Sequence, residues 1–478
     1  MKKLFLLGIL FLSVQLNKAQ NIYLNNFIND KDLINASIGF NLIKLKTDSI
    51  IISYNPNKSL TPASIQKLIT TSAALNILGS NYKIPTFLEY DGYIDTNRIL
   101  HGNIYIAGNG DPTLGSKYFP NNDFLSSWCE AIKKLNIDSI TGGIIADASA
   151  FSYEQIPSTW SWGDIGNYYG AGVSALTIYD NTVSLSFSSG KNIGDSTNID
   201  CIYPYVPEIT FYNKVKAGKT KRDEAYVYGA PYISDRNVRG EIPRGVIDFR
   251  VKASIHDPAY LTAFELESYL INSGIKINKK ATTLRRLSLK DENIISNRVK
   301  FYTYYSVKLI TIIDVINKIS NNQFTEHLLR ILGEHLNVET TALSSASAVK
   351  TYLSNKGINT TGYYMNDGCG LSRYNALSTS FMTELLSKMQ NNDDFYNSLP
   401  ISGKTGTLKY FGKGTVLQGK VLAKSGSMQR VRSYAGYITS KSGEQYAFAI
   451  IINNFNCTSS HMKKKIESLF VGIYKDLN

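Results

Sequence analysis

A serine and a lysine three residues apart, Ser64 and Lys67, stand at the head of the stretch TPASIQKLITTSAALNILG, residues 61–79. In a helix these two side chains share a face one turn apart, so the amine reaches the hydroxyl. A lysine that has lost its own proton can then take the serine's and leave a nucleophile. The helix start adds partial positive charge, which favours the negative charge that develops near Ser64. Two further groups of polar residues could serve such a centre: Ser320 and Asn322 in Ser-Asn-Asn, and Lys424, Ser425 and Gly426, followed by Ser427, in AKSGS. The chemistry that suits these residue types is acyl transfer through a serine.

The elements that must hold these residues are legible. Residues 61–79 read as a helix in which Thr61 caps, Pro62 takes the first position, Ile65, Leu68, Ile69, Leu75 and Leu78 form an apolar face, and Gly79 ends the run. Ser-x-x-Lys also occurs at Ser80, Ser188 and Ser460, but each of those has a structural reading. Ser80 precedes a break at Pro85, Ser188 lies in a Ser-Ser-Gly-Lys turn, and Ser460 caps the C-terminal helix. Ser320-Asn321-Asn322 joins two helical stretches, 306–319 and 323–336. Lys424 ends the run KVLAK, and with SYAGYIT and YAFAIIIN it reads as three successive antiparallel strands. A second triad, Lys404-Thr405-Gly406, lies among Gly403, Gly412 and Gly414 and reads as loop. The sheet-edge triad is therefore expected at Lys424.

Composition bounds the rest. The chain of 478 residues is 43% hydrophobic with 35 Gly and 12 Pro, which fits a globular protein of two or three domains. MKKLFLLGILFLSVQLNKAQ places two lysines ahead of a short apolar run and then Ala19, so residues 1–19 read as a signal peptide and the protein as exported, periplasmic or otherwise extracytoplasmic. No later apolar segment approaches the length of a membrane span. The formal charge of +13 falls to about +10 without residues 1–19, which carry Lys2, Lys3 and Lys18 and no acid. That balance fits an affinity for anionic polymers or a lysine-rich coding bias equally well. No nucleic-acid module is present, and nucleic acid is not expected as a partner. Cys129, Cys201, Cys369 and Cys457 show no CxxC spacing, the five His form no HExxH pair, and neither GxSxG nor a GxxxxGK[ST] phosphate loop occurs. No metal or cofactor is expected, and disulfides remain open.

A Ser-Lys pair, then Ser-x-Asn, then Lys-[ST]-Gly, in that order, is the signature of active-site serine acyl-transferases. With GNIYIAGNGDPTL (102–114), TGGIIADASAF (141–151), YYGAGVSALTIYDNTV (168–183) and NDGCGLSRYNALS (366–378), the chain resembles the low-molecular-mass penicillin-binding proteins of the D-alanyl-D-alanine carboxypeptidase/endopeptidase family over roughly residues 40–455. It departs from that pattern at Cys369, where Ser is usual, and at Ser425, where Thr is usual. The separation of 256 positions from Ser64 to Ser320 implies a large insertion.

The resemblance implies a multi-domain α+β fold. A β-lactamase/transpeptidase-like domain, an antiparallel sheet flanked by helices, takes residues 20–88 and 298–478, and a mostly β inserted region of one or two domains takes 89–297. It implies that Ser64 attacks the peptide carbonyl, Lys67 is the base, Lys424 supplies positive charge, Ser320 relays a proton and Asn322 orients the substrate amide. Ser425, Gly426 and Ser427 would bind substrate, with the backbone N–H groups of Ser64 and Ser427 as an oxyanion hole. The implied partners are peptidoglycan stem peptides that end in D-Ala-D-Ala or are cross-linked by D-Ala, and β-lactams as covalent inhibitors. A serine β-lactamase and a non-catalytic wall-binding protein are the alternatives.

Overall fold

The computed structural model describes residues 21–477 apart from 293, 294 and 296, so the segment read as a signal peptide lies outside the described residues. The chain divides into two compact units. The first takes the described residues up to Ile65, Thr361–Tyr363 and the described residues from Ala376 onward; the second takes Gln66–Thr360 and Tyr364–Asn375.

The first unit is built on five strands in the order Val421–Met428, Val431–Thr439, Gln445–Asn453, Ser37–Lys44, Ser49–Tyr54, each pair antiparallel. The first three are the strands expected from sequence. Strand Gln445–Asn453 is central and buried along its length after Gln445, because both faces of the sheet are covered. On one face Phe40, Phe448 and Ile450 pack with Ile466 and Phe470 of the C-terminal helix Ser459–Asp476. On the other, Asn41 Nδ2 donates to Thr383 Oγ1 at 2.7 Å and Tyr437 Oη to the Leu386 carbonyl at 2.8 Å, both on helix Thr379–Met389. The C-terminal helix is capped by Thr458, which accepts from the His461 N–H, and not by Ser460 as expected.

The second unit holds helices Lys67–Leu78, Leu309–Ile319, Asn322–His335 and Ala342–Asn355. Residues 67–75 of the first and 323–333 of the third are buried all round, so these two helices are core rather than surface. A five-stranded sheet runs Thr282–Thr283, Ile144–Asp147, Ile104–Gly108, Pro85–Tyr90, Val299–Tyr305. Its last two strands, which bracket the long intervening region, pair with each other from Pro85↔Tyr305 to Tyr90↔Val299. Two three-stranded sheets, Thr197–Tyr203 with Thr182–Ser189 and Phe249–Ser254, and Thr210–Gly218 with Asp235–Pro243 and Glu224–Tyr228, lie within that region. So does helix Pro258–Asn272, with Asp257 as cap and Pro at its first position.

The sequence predicts one helix over 61–79, and the structure changes its start. Ala63–Gln66 is a 3-10 turn, the α-helix is Lys67–Leu78, and Gly79 ends it at φ 80°. Thr61 does not cap: its N–H donates to Asn453 Oδ1 at 2.9 Å and its carbonyl accepts from Asn453 Nδ2 at 3.1 Å. The Pro62 carbonyl accepts from Ser433 Oγ at 2.5 Å. Side chains of the sheet thus take the backbone groups that a helix start would have used. Ala63 follows at φ 48°, a left-handed conformation that costs a non-glycine residue about 1–2 kcal/mol.

Candidate active site

In the first unit the expected residues fall on two segments. Lys424, Ser425, Gly426 and Ser427 lie on Val421–Met428, the edge strand, in register with Ala435, Tyr434, Ser433 and Arg432 of its neighbour. Half-buried Ser64 lies in the 3-10 turn that follows the Pro62 carbonyl. The two segments touch at Gly426, where an added β-carbon would stand 2.8 Å from the Pro62 carbonyl oxygen and 2.9 Å from the Ser64 nitrogen and would collide with Ser433 Oγ. The residue must be glycine for the turn to approach this closely. Lys424 is fully buried, and its Nζ donates to the Ser425 carbonyl at 2.8 Å. Lys404, by contrast, is exposed, in the turn ahead of the short 3-10 helix Gly406–Leu408.

The second unit brings Lys67 and Asn322 together. Lys67 is fully buried, and its Nζ donates to Asn322 Oδ1 and to the Cys369 carbonyl, each at 2.7 Å. These two acceptors hold the amine in a fixed place on the buried helix. Burial holds the Lys67 amine below its ordinary value, against an opposite pull from Cys369, Asp367 and Glu326. Burial in turn pushes the Cys369 thiol well above its ordinary range, with Asp367 and Glu326 adding to it, so the thiol is neutral at neutral pH. Asn322 Nδ2 donates to the Tyr169 carbonyl at 2.7 Å, which fixes the amide with its oxygen toward Lys67.

Ser320 closes helix Leu309–Ile319 at φ 64°, ψ 41°, and Asn321 caps the next helix by accepting from the Phe324 N–H at 2.9 Å. This tight junction holds Ser320 and Asn322 at adjoining helix ends. Three residues apart in sequence, Ser64 and Lys67 fall in different units, the division running between Ile65 and Gln66.

In the sequence the segment NDGCGLSRYNALS carries only a resemblance, and neither it nor any other motif assigns Asp367 or Glu326 a place behind Lys67. Asp367 accepts from Trp160 Nε1 (2.8 Å), Ser372 N (2.5 Å), Gly370 N (2.8 Å) and Asn375 Nδ2 (2.7 Å). Glu326 Oε1 accepts from the Cys369 N–H at 2.7 Å. All four cysteines are free, and Cys369 packs against Trp160 and Ile165, so the departure at this position is one of packing. Among the described residues, Glu326, Asp367 and Cys369 offer ligand atoms within 4.8 Å of one another, as do Asp32, Cys457 and His461. In the first set Asp367 already serves four donors, and in the second Lys465 Nζ reaches Asp32 at 3.2 Å.

The sequence profile of the D-Ala-D-Ala carboxypeptidase 3 (S13) family matches residues 20–477. The chain belongs to that family. As an S13 member it is a hydrolase of the serine D-Ala-D-Ala carboxypeptidase type. It is 25% identical over 441 residues to the D-alanyl-D-alanine carboxypeptidase DacB of Haemophilus influenzae, covering 90% of this chain and 88% of the relative. It is also 25% identical over 442 residues to a D-alanyl-D-alanine carboxypeptidase of Actinomadura sp. (strain R39), covering 89% and 79%. Its fold is similar to that of penicillin binding protein 4 (dacB) of H. influenzae, with a TM-score of 0.80 at 22% identity over 95% of this chain and 99% of that one. Among the described residues of this S13 chain no helix is long and apolar enough to cross a membrane.

Proposed function

We propose that the protein cleaves the bond after the penultimate D-alanine of peptidoglycan stem peptides through an acyl-enzyme on Ser64. The observation that carries this reading is Lys67: a fully buried amine, oriented by Asn322 and the Cys369 carbonyl, whose hold on its proton burial weakens. In this reading Lys67 takes the Ser64 proton, and the Ser64 oxygen bonds to the carbonyl carbon. The oxyanion is received by the backbone N–H groups of Ser64 and Ser427. Ser320 passes a proton to the leaving amine, and the C–N bond breaks. Water then hydrolyses the ester with the same groups reversed. Lys424 supplies positive charge for the substrate carboxylate, and Ser425 and Ser427 present hydroxyls beside it. β-Lactams, which share the carbonyl and carboxylate of D-Ala-D-Ala, acylate the same serine and act as covalent inhibitors. The site of action is outside the cytoplasm, where the polymer is.

Two measurements test the reading. Fluorescent penicillin should label the wild-type protein, with the adduct mapped to Ser64, and Ser64→Ala should abolish the label; an adduct mapped to Ser320 would sink the assignment. Digestion of purified muropeptides then separates release of terminal D-alanine from conversion of cross-linked dimers to monomers, and the reading expects at least one of the two.

A further inference from the structure

Glu326 lies on helix Asn322–His335, one turn beyond Asn322, and only 1% of it is exposed. Its Oε1 accepts the Cys369 N–H at 2.7 Å, while Oε2 is buried with no hydrogen-bond partner. The same Cys369 residue gives its carbonyl to Lys67 Nζ at 2.7 Å. One backbone unit thus links the lysine to a buried carboxyl with an unmet oxygen. A buried carboxylate oxygen without a donor is costly when charged, whereas a protonated carboxyl tolerates the site. Burial first, and then the neighbouring Asp367, push the Glu326 carboxyl up to about 7.

The other charged groups nearby do not remove this need. Asp367 is engaged by its four donors, and the Cys369 thiol is neutral. The buried guanidinium of Arg330, one turn further along the helix, draws the Glu326 carboxyl down, but less strongly than burial and Asp367 push it up, and its hydrogen bonds go to Glu154 and the Thr340 carbonyl. His327, next in sequence, is pushed down to about 4 by burial and carries no charge near neutrality.

We propose that Glu326 is a positioning residue for Lys67, holding it through the Cys369 backbone, and that the proton on the Glu326 carboxyl decides how readily Lys67 gives up its own. An ionised Glu326 favours the lysine ammonium; a protonated one lets the lysine serve as the base. This rests on the Ser64–Lys67 reading and deepens it.

The test is the pH profile of the second-order rate of Ser64 acylation by fluorescent penicillin, in folded wild type, Glu326→Gln and Glu326→Asp. Gln keeps the acceptor for the Cys369 N–H and removes the negative charge, so the acid limb should move down by about one pH unit or more. Asp keeps the charge, so its limb should stay near the wild-type position even where the rate falls. A merely structural glutamate would lower Tm in both variants and leave both limbs in place, and that result overturns the proposal. Infrared spectra of wild type labelled with carbon-13 glutamate serve if Gln fails to fold. They should show a protonated glutamate carboxyl that titrates near neutrality, and no such band overturns the proposal. Wild type that takes no label at Ser64 overturns the underlying reading as well, whereas normal labelling with unshifted limbs overturns the Glu326 role alone.

Discussion

Gly426 and Ser64 approach so closely that a β-carbon on the glycine would lie 2.9 Å from the serine nitrogen. The contact joins the edge strand to the turn that carries Ser64, the proposed nucleophile, and Ser433 locks it from the next strand by donating to the Pro62 carbonyl. Gly426→Ala should therefore push the Ser64 turn away rather than merely fill space. Overpacking of this kind costs about 1–3 kcal/mol, and displacement of an attacking group costs rate steeply. We expect a fall in Tm of several degrees and at least about a tenfold loss in penicillin acylation. Acylation at the wild-type rate in a folded Gly426→Ala protein would contradict the role of this contact.

Two Lys-hydroxyl-Gly triads differ in what they would lose. Lys424 is fully buried on the edge strand, whereas Lys404 is exposed on a turn. A charge-assisted hydrogen bond is worth about 1.5–3 kcal/mol, so Lys424→Ala should lower acylation efficiency at least about tenfold. Lys404→Ala should stay within a few-fold. Reversed effects in proteins shown to be folded would move the substrate-carboxylate site to the other triad.

Residues of the long intervening region reach the elements behind Lys67: the Tyr169 carbonyl receives Asn322, and Trp160 Nε1 donates to Asp367 at 2.8 Å. Trp160→Phe keeps most of the packing and removes one donor from a buried carboxylate. We expect a loss of about 1–3 kcal/mol in stability, read as a lower Tm. A several-fold fall in acylation should accompany it, because the 367–375 loop carries the Cys369 carbonyl. Unchanged Tm and rate would show that the remaining three donors suffice.

What the sequence made legible was local. The strands that carry Lys424, the Ser320–Asn322 helix junction and the looped Lys404 follow from alternation, capping residues and glycine spacing over a few residues each. Helix Pro258–Asn272, capped by Asp257, is not expected from the sequence, because the composition of residues 89–297 reads as mostly β. What else was not legible came from distant partners. Asn453 and Ser433 take the backbone groups of Thr61 and Pro62 and convert an expected helix start into a 3-10 turn. Glu326 and Asp367 act on the Lys67 charge, and Trp160 donates to Asp367, from three separate stretches of chain. No periodicity records such pairings, because each is fixed only when the packed core excludes water from all its members.

Two buried histidines make the fold sensitive to acid. His327 Nδ1 and Nε2 face the Gln323 and Ser174 carbonyls at 2.8 and 3.1 Å, which would favour a cation, yet burial outweighs them and lowers the group from 6.5 to about 4. His256 is lowered to about 4 by burial first and then by Arg236 and Arg286. Between pH 6.5 and 4 the unfolded chain therefore binds protons at these sites that the native chain does not, and stability falls as pH falls through that window. The raised acids Glu326 (about 7) and Asp111 (about 6) act in the opposite sense: the native chain holds their protons after the unfolded chain has released them, so they weaken the fold as pH rises from 4 to 7. A difference between two proteins isolates one histidine from this mixture. His327→Gln should start with a lower Tm than wild type at pH 7 and lose less of it on acidification to pH 4. The change in slope should correspond to at most about 3 kcal/mol, since each tenfold change in proton affinity is worth about 1.36 kcal/mol. Parallel Tm curves for the two proteins across this range would show that His327 takes up its proton in the native state as readily as in the unfolded one.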